Sequence, residues 1–442
     1  MRTFRIGGIH PQANKLSAGQ PIQVIAPPES VVIPLGQHIG APAKAIVDKG
    51  DMVKAGALIG KADGVVSANV HSSVSGTVMK VDSMIDGFGI SRPAVFIHTE
   101  GDEWDEAIDR SETIIKECGL SSAEIIRKIE AAGIVGMGGA AFPTQIKLTP
   151  PPGEKAETLL VNAVECEPYL TSDHALLVEK GEQVMIGVTI LMKTLNVGRA
   201  VIGIESNKPD AIEIMKRLAP SYKGIEIMPL KIKYPQGSEK QLIEAILRRE
   251  VKSGKLPISA GTLVHNAATV YAVYEAVQKN KPLIERIVTV TGKALKNPSN
   301  FLVRIGTPVS TLIDAAGGLP ENTGKIIGGG PMMGKAMINA DSPVMKGSSG
   351  FVLMTKDEAL RCPMHDCIRC AKCVNACPMG NEPHLLMNLT QRKLWDEAKK
   401  NHILDCIECG SCTFSCPANR PILDHVRLGK ATVAGMVKSG KI

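Results

Sequence analysis

Eight of the eleven cysteines in this 442-residue chain fall into two runs of identical spacing. Cys367, Cys370, Cys373 and Cys377 precede Pro378, and Cys406, Cys409, Cys412 and Cys416 precede Pro417, so C-x2-C-x2-C-x3-C-P is written twice. Thiolates are soft ligands that suit iron–sulfur clusters and zinc. Zinc modules set two ligand pairs apart by a longer loop, whereas each run here packs four thiols into eleven residues and ends in Pro. This spacing points to two [4Fe-4S] clusters, the fourth cysteine of each run ligating the other run's cluster. On that rule Cys367, Cys370, Cys373 and Cys416 hold one cluster, and Cys406, Cys409, Cys412 and Cys377 hold the other.

The elements that position these thiols occupy most of the chain. Its length exceeds what one hydrophobic core supports, and about three domains are expected. With eight cysteines committed to the runs and no signal peptide ahead of them, the compartment is expected to be reducing. The best apolar run, Val184 to Met192, is nine residues long and contains Gly187 and Thr189, well short of the roughly 18 that a membrane span needs. A formal charge of +7 from 51 basic and 44 acidic residues reads as solubility, and five Tyr, seven Phe and two Trp offer no stacking platform for nucleic acid.

Residues 1–110 carry short Val- and Ile-rich runs between Gly and Pro, the texture of small strands and tight turns. His10, His38 and His71 lie in these turns, where structural hydrogen bonding is the expected role. Residues 111–282 alternate helix and strand. Ser121 and Glu124 form a capping box ahead of Ile125, Ile126 and Ile129, and Gly133 is placed to end that helix. Leu159 to Val164, Ala200 to Ile204 and Ile225 to Ile232 read as strands of a parallel or mixed sheet. Residues 283–349 read as a small α+β module, and 350–442 as a helical cluster domain. The fold class is multidomain α/β and α+β.

A second candidate site is the segment from Gly133 to Lys147, with Gly136, Gly138, Gly139 and then Lys147. Glycines let backbone N–H groups approach a phosphate closely, and a following lysine supplies a counter-charge. It fits neither G-x-x-x-x-G-K-[ST] nor G-x-G-x-x-G. By itself it is either a phosphate cradle or a turn. Cys166, flanked by Glu165 and Glu167, is expected to be a buried structural thiol, since neighbouring carboxylates disfavour thiolate. Cys118 and Cys362 fall outside the cluster pattern, Cys362 being the one spare thiol close enough to replace a ligand.

Gly136 to Lys147 resembles the flavin-binding loop of the 51-kDa NADH-oxidising subunit of respiratory complex I. Val161-Asn162-Ala163-Val164-Glu165-Cys166-Glu167-Pro168, Tyr234-Pro235-Gln236-Gly237-Ser238-Glu239 and Thr262-Leu263-Val264-His265-Asn266 resemble three further segments of that family, in the same order. Lys49 to Gly56 and Val74 to Val78 resemble the lipoyl type of barrel-sandwich hybrid, but the hairpin tip near Asn69 to Ser73 has no lysine and so no swinging arm. With Gly7-Gly8-Ile9-His10-Pro11, Pro34 to Pro42 and the two ferredoxin-like runs, the whole is similar to the RnfC family, peripheral subunits of Rnf ferredoxin:NAD oxidoreductase complexes. The resemblance implies an N-terminal barrel-sandwich hybrid, a 51-kDa-like flavin domain, an SLBB β-grasp module followed by Gly328 to Gly334, and a 2[4Fe-4S] ferredoxin-like domain.

It implies FMN, held without a covalent link by Gly136, Gly138, Gly139, Lys147, Asn162, Glu165, Gly237 and Asn266. It also implies NAD(H) against Phe142, Glu167 and Glu239. Val164 and Ser238 stand where the complex I pattern has acids, so part of its carboxylate set is missing. The implied activity is hydride exchange between NAD(H) and FMN and single-electron exchange with both clusters. Implied partners are a ferredoxin-like iron–sulfur subunit and membrane-spanning subunits, with the chain peripheral on the cytoplasmic side. Two alternatives share these parts: a cobalamin reductase of the propanediol-utilisation type, and a non-catalytic iron–sulfur conduit with a vestigial flavin loop.

Overall fold

The computed structural model describes residues 1–442. A four-stranded parallel sheet lies at its centre, in the order Ile225–Leu230, Ala200–Glu205, Thr158–Ala163, Thr262–Asn266. Every residue of Ala200–Glu205 is buried, as expected for a strand covered on both faces. The 24-residue helix Ser172–Leu195 and the helix Ala267–Gln278 cover one face, packing Leu177, Val184, Val188 and Leu191 against Val270, Val273 and Val277. Helix Glu239–Leu247 covers the other, burying Leu242, Ile243 and Ile246.

Local chemistry delivers the Gly-rich segment to this sheet. Ser121 Oγ accepts from Glu124 N, and Glu124 Oε2 accepts from Ser121 N, so the capping box starts helix Ser122–Ala131 as expected. At its end Gly133 takes φ +62°, donating its N–H to Glu130 O while Ile134 N donates to Ile129 O. This paired closure needs a left-handed residue, which glycine supplies without Cβ strain. The chain then turns directly into the loop that ends at helix Thr144–Lys147.

The N-terminal unit stacks a four-stranded antiparallel sheet on a three-stranded one around Val31, Ile33, Ile59, Val78, Val95 and Ile97. Its hairpin tip is no free arm. Ser73 Oγ donates to Ile305 O, Arg304 Nη1 donates to Ser73 O, and Asn69 Nδ2 donates to Glu130 O and Ala131 O. Buried Lys346 closes the joint, donating from Nζ to Asn69 O at 2.6 Å and Gly133 O at 2.7 Å, while Gln37 Oε1 accepts its backbone N–H. The turn histidines divide: His38 Nε2 accepts from Ala68 N, His10 is exposed, and burial pushes His71 down to about 3, keeping it neutral. Lys346→Met leaves two buried carbonyls unpaired and should cost about 3 kcal/mol, seen as a lower urea midpoint; an unchanged midpoint would remove the joint's importance.

Two expected boundaries are crossed. The third unit is a six-stranded mixed sheet in the order Ile22–Val24, Ser299–Arg304, Glu285–Thr291, Gly350–Thr355, Thr323–Gly328, Lys335–Ala336. Ile22–Val24 comes from the segment assigned to the first domain and pairs in parallel with Ser299–Arg304. Gly350–Thr355 comes from the segment assigned to the cluster domain and sits inside the sheet. Phe351 and Leu353 are buried under helix Val309–Ala315, while Val352, on the opposite face, packs with Tyr169, Leu170 and Ile327. The cluster domain is helical, with Leu386, Met387, Ala398, Ile403, Ile422 and Val426 as its core.

Candidate functional site

In a parallel sheet the crevice beyond the strands' carboxyl ends, where strand order reverses, is the usual ligand position. Here the order reverses between Thr158–Ala163 and Thr262–Asn266, and their register places Asn162 directly beside Asn266 at that end. Asn162 Nδ2 donates to Gly237 O at 2.7 Å and its Oδ1 accepts from Val164 N. Asn266 caps its helix by accepting from Ala268 N at 2.9 Å, and its Nδ2 donates to Asp173 Oδ2 at 2.6 Å. Both amides are therefore locked in orientation.

The Gly-rich loop closes over this pair. Gly136 N donates to Phe142 O and Met137 N donates to Thr269 Oγ1. A Cβ on Gly138 would stand 2.8 Å from Asn266 Cβ, so only glycine fits there, whereas a Cβ on Gly139 would meet nothing within 4 Å. One glycine serves packing and the next faces open space. Lys147 Nζ pairs with Glu239 Oε1 at 2.6 Å at the rim, with side chains 25% and 40% exposed. An ion pair this exposed contributes at most about 1 kcal/mol, leaving the lysine free to take an anion instead. Thr144 Oγ1 and His265 Nε2 are buried without a partner on the elements that flank the loop.

Glu165, held at φ +48°, accepts from Ser172 Oγ, Asp173 N and His174 N at the start of helix Ser172–Leu195. Lys15 staples the same loop from behind, donating from Nζ to Glu165 O, Glu167 O and Leu170 O; burial lowers it to about 8. Glu167, expected beside the nicotinamide, faces the loop that carries Met332 and Met333. Its two oxygens accept from Met332 N at 3.1 Å and Met333 N at 2.8 Å, and burial pushes it up to about 7. The polar partner of this carboxylate is thus the Gly328 to Gly334 loop. Gly136, Gly138, Lys147, Asn162, Glu165, Gly237, Asn266 and Glu239 are joined by these contacts, Gly139 follows on the same loop facing open space, and Phe142 is 37% exposed. Asp173, Thr269 and Lys15 escaped the sequence reading; each lies outside the quoted motifs.

Of the cluster cysteines, Cys377, Cys406, Cys409 and Cys412 line one cavity together with Leu386, Ile407, Leu423 and Val426. This set crosses the two runs. Thiols drawn from both runs are what the crossed ligation of a two-cluster ferredoxin requires. Cys373 and Cys416 are half-buried and Cys367 and Cys370 exposed, on a stretch without regular structure. That stretch is tied to the end of the second run: His365 N donates to Ala418 O and Asn419 Nδ2 donates to Pro363 O. Cys362 is exposed as well.

The two sites share a seam. Tyr234, two residues before Gln236-Gly237, donates its Oη to Cys409 O at 2.8 Å, and Gln241 Nε2 donates to Pro378 O at 3.1 Å. Ile9, Tyr234, Ala376 and Cys409 pack as one apolar cluster, with Cys166 and Met332 against it. Gly8 N donates to Ala376 O, which accounts for the N-terminal glycines. Cys166, expected to be buried, is half-buried; its Sγ accepts from Gly237 N at 3.3 Å, and desolvation pushes it above the ordinary thiol range.

Family models match in the expected order: RnfC barrel sandwich hybrid domain at residues 3–102, Nuo51 FMN-binding domain at 129–275, SLBB domain at 287–336 and 4Fe-4S dicluster domain at 366–420. A subunit of the proton-translocating ferredoxin:NAD(+) oxidoreductase complex of Clostridium ljungdahlii is 47% identical over 90% of this chain and 87% of its own. Its counterpart in the Na(+)-translocating complex of Acetobacterium woodii is 42% identical over 99% and 98%. The corresponding subunit of the ion-translocating oxidoreductase complex of Rhodobacter capsulatus is 40% identical over 87% and 74%. With a glycine cradle at a sheet switch point, a crossed set of four thiols beside it and these relatives along nearly its whole length, the chain belongs to the RnfC family of subunits of ion-translocating ferredoxin:NAD+ oxidoreductase complexes.

Proposed function

We propose that this chain is the electron-transfer subunit of a membrane-bound, ion-translocating ferredoxin:NAD+ oxidoreductase, exchanging hydride with NAD(H) and single electrons with its partners. The observation that carries this reading is the seam: Tyr234 and Gly237 lie on one short loop, the first bonded to a cluster cysteine's carbonyl and the second to Asn162 of the switch-point crevice. Bound in these two sites, FMN supplies the conversion of a hydride into single electrons and the [4Fe-4S] clusters carry those electrons onward.

The chain's residues hold and orient. Gly139 leaves room for a phosphate, Lys147 exchanges Glu239 for that anion, and the locked amides of Asn162 and Asn266 present fixed dipoles to a flavin edge. Phe142 and Glu239, on the rim, are placed to meet the nicotinamide nucleotide. Cys377, Cys406, Cys409 and Cys412 hold the cluster nearest the flavin; Cys367, Cys370, Cys373 and Cys416 hold the outer one. The exposed Cys367 and Cys370 turn the outer cluster toward a ferredoxin-like partner subunit. No helix of the chain is long and apolar enough to cross a membrane, and we assign ion translocation to membrane-spanning partners, with this subunit peripheral on the cytoplasmic side.

Purified protein offered NADH and cob(III)alamin separately tests the assignment. NADH should bleach the flavin band while cob(III)alamin is not turned over. Corrin turnover would transfer the reading to a cobalamin reductase.

A further inference from the structure

Asp173 is half-buried beside the crevice, and packing alone does not explain it. Its Oδ2 accepts from Asn266 Nδ2 at 2.6 Å, on the side chain that Gly138 packs against. Its own N–H donates to Glu165 Oε1 at 2.8 Å. Two carboxylates therefore share one helix start, and they are unequally served. Glu165 accepts from Ser172 Oγ, Asp173 N and His174 N, whereas Asp173 accepts from Asn266 alone.

The charged groups around Asp173 are Glu165, Arg286 and Lys208. Arg286 directs Nε and Nη2 to Ser348 O and Nη1 to Met137 Sδ. Lys208 directs Nζ to Val164 O and Asn207 Oδ1. Both cations are engaged elsewhere, so Asp173 has their field without an ion pair. Burial first, and the neighbouring Glu165 second, push it up to about 7. Like charges held this close in a buried site favour keeping one of them protonated.

We propose that Asp173 is a positioning residue that takes up one solvent proton when negative charge enters the crevice, and so sets how the reduction potential of the flavin site depends on pH. This rests on the flavin reading above. The balance is simple. NADH gives NAD+, two electrons and one proton; while the electrons remain in the crevice as added negative charge, the Asp173 carboxylate plus a solvent proton becomes the neutral acid. When the two electrons leave for the clusters, which accept electrons only, that proton and the one that came with the hydride both return to solvent. Because the coupling is a free energy between two sites, it acts equally in both directions. The bond from Asn266 to Asp173 Oδ2 keeps the amide fixed in either protonation state.

The test uses the FMN- and iron-loaded chain and its Asp173→Asn variant. FMN content is measured first: a wild type that holds none defeats the flavin reading and this proposal with it. With FMN held, spectroelectrochemical titration between about pH 6 and 9 should show the wild-type flavin potential falling above pH 7 with one more proton per two electrons than the variant. Parallel pH profiles, with FMN retained by both, overturn the proposal and leave the flavin reading intact. Should the variant lose FMN, the wild type alone decides through its reduced-minus-oxidised infrared spectrum near pH 8. A carboxylic acid carbonyl band gained on reduction, and shifted in D2O, supports the proposal; no such band overturns it.

Discussion

Replacing Cys409 by Ala should leave the anaerobically purified chain with about half its iron, because each of two clusters depends on its own four thiolates. Cys409 is buried in the cavity it lines with Cys377, Cys406 and Cys412, so no solvent ligand is at hand to replace it. The other set, Cys367, Cys370, Cys373 and Cys416, is left whole. The second effect is larger: with the inner cluster gone, NADH should still bleach the flavin, but the remaining cluster should stay oxidised on the millisecond scale. Cys367→Ala should also halve the iron yet leave the inner cluster reducible, unless the exposed Cys362 takes the vacant place. Unchanged iron in Cys409→Ala would rule out the crossed ligand set, and rapid reduction of the surviving cluster would rule out the order of the two.

Gly139→Val should abolish FMN retention while leaving the iron content and the thermal midpoint near those of the parent. A Cβ at Gly139 meets no atom of the chain within 4 Å, so the fold has room for it, and a lost ligand can be charged to the occupied cradle. Gly138→Ala makes the contrast. Its Cβ runs into Asn266, so that variant should lose both FMN and stability, by about 1 to 3 kcal/mol for a crowded core site. FMN bound normally by Gly139→Val would place the phosphate elsewhere. Both results are read by flavin fluorescence of denatured, desalted protein and by melting curves.

The parts of this molecule governed by short-range chemistry were legible in its sequence. The Ser121 and Glu124 box, the left-handed Gly133, the strands of the central sheet and the grouping of Cys377 with Cys406, Cys409 and Cys412 each depend on residues close in sequence or on a fixed spacing. Asn162 and Asn266 stood in separate motifs, yet a parallel sheet sets them side by side through register. What escaped depends on partners far along the chain. Glu167 keeps the local motif but meets Met332 and Met333, 165 and 166 residues on. Lys15 reaches Glu165 from 150 residues away, and Ile22–Val24 completes a sheet built from residues beyond 284. None of these leaves a periodic or compositional trace. Asp173 was hidden differently: an acid in a helix's first turn is the ordinary complement to the helix dipole, and only its bond from Asn266 marks it out.

Together these contacts describe a chain in which the N-terminal unit, the third sheet and the cluster domain all close on one crevice. Gly7 and Gly8 seat the inner cluster's backbone, Lys346 fixes the entrance to the Gly-rich loop, and Tyr234 joins the crevice to Cys409. The most direct test of that arrangement is an anaerobic count of FMN and iron on the isolated chain, followed by titration with NADH. We expect one FMN and about eight irons per chain, as two four-iron clusters require, with the flavin band and then the cluster signals responding to NADH. Protein reconstituted with FMN that retains none, or clusters that stay oxidised while the flavin is bleached, would contradict the account.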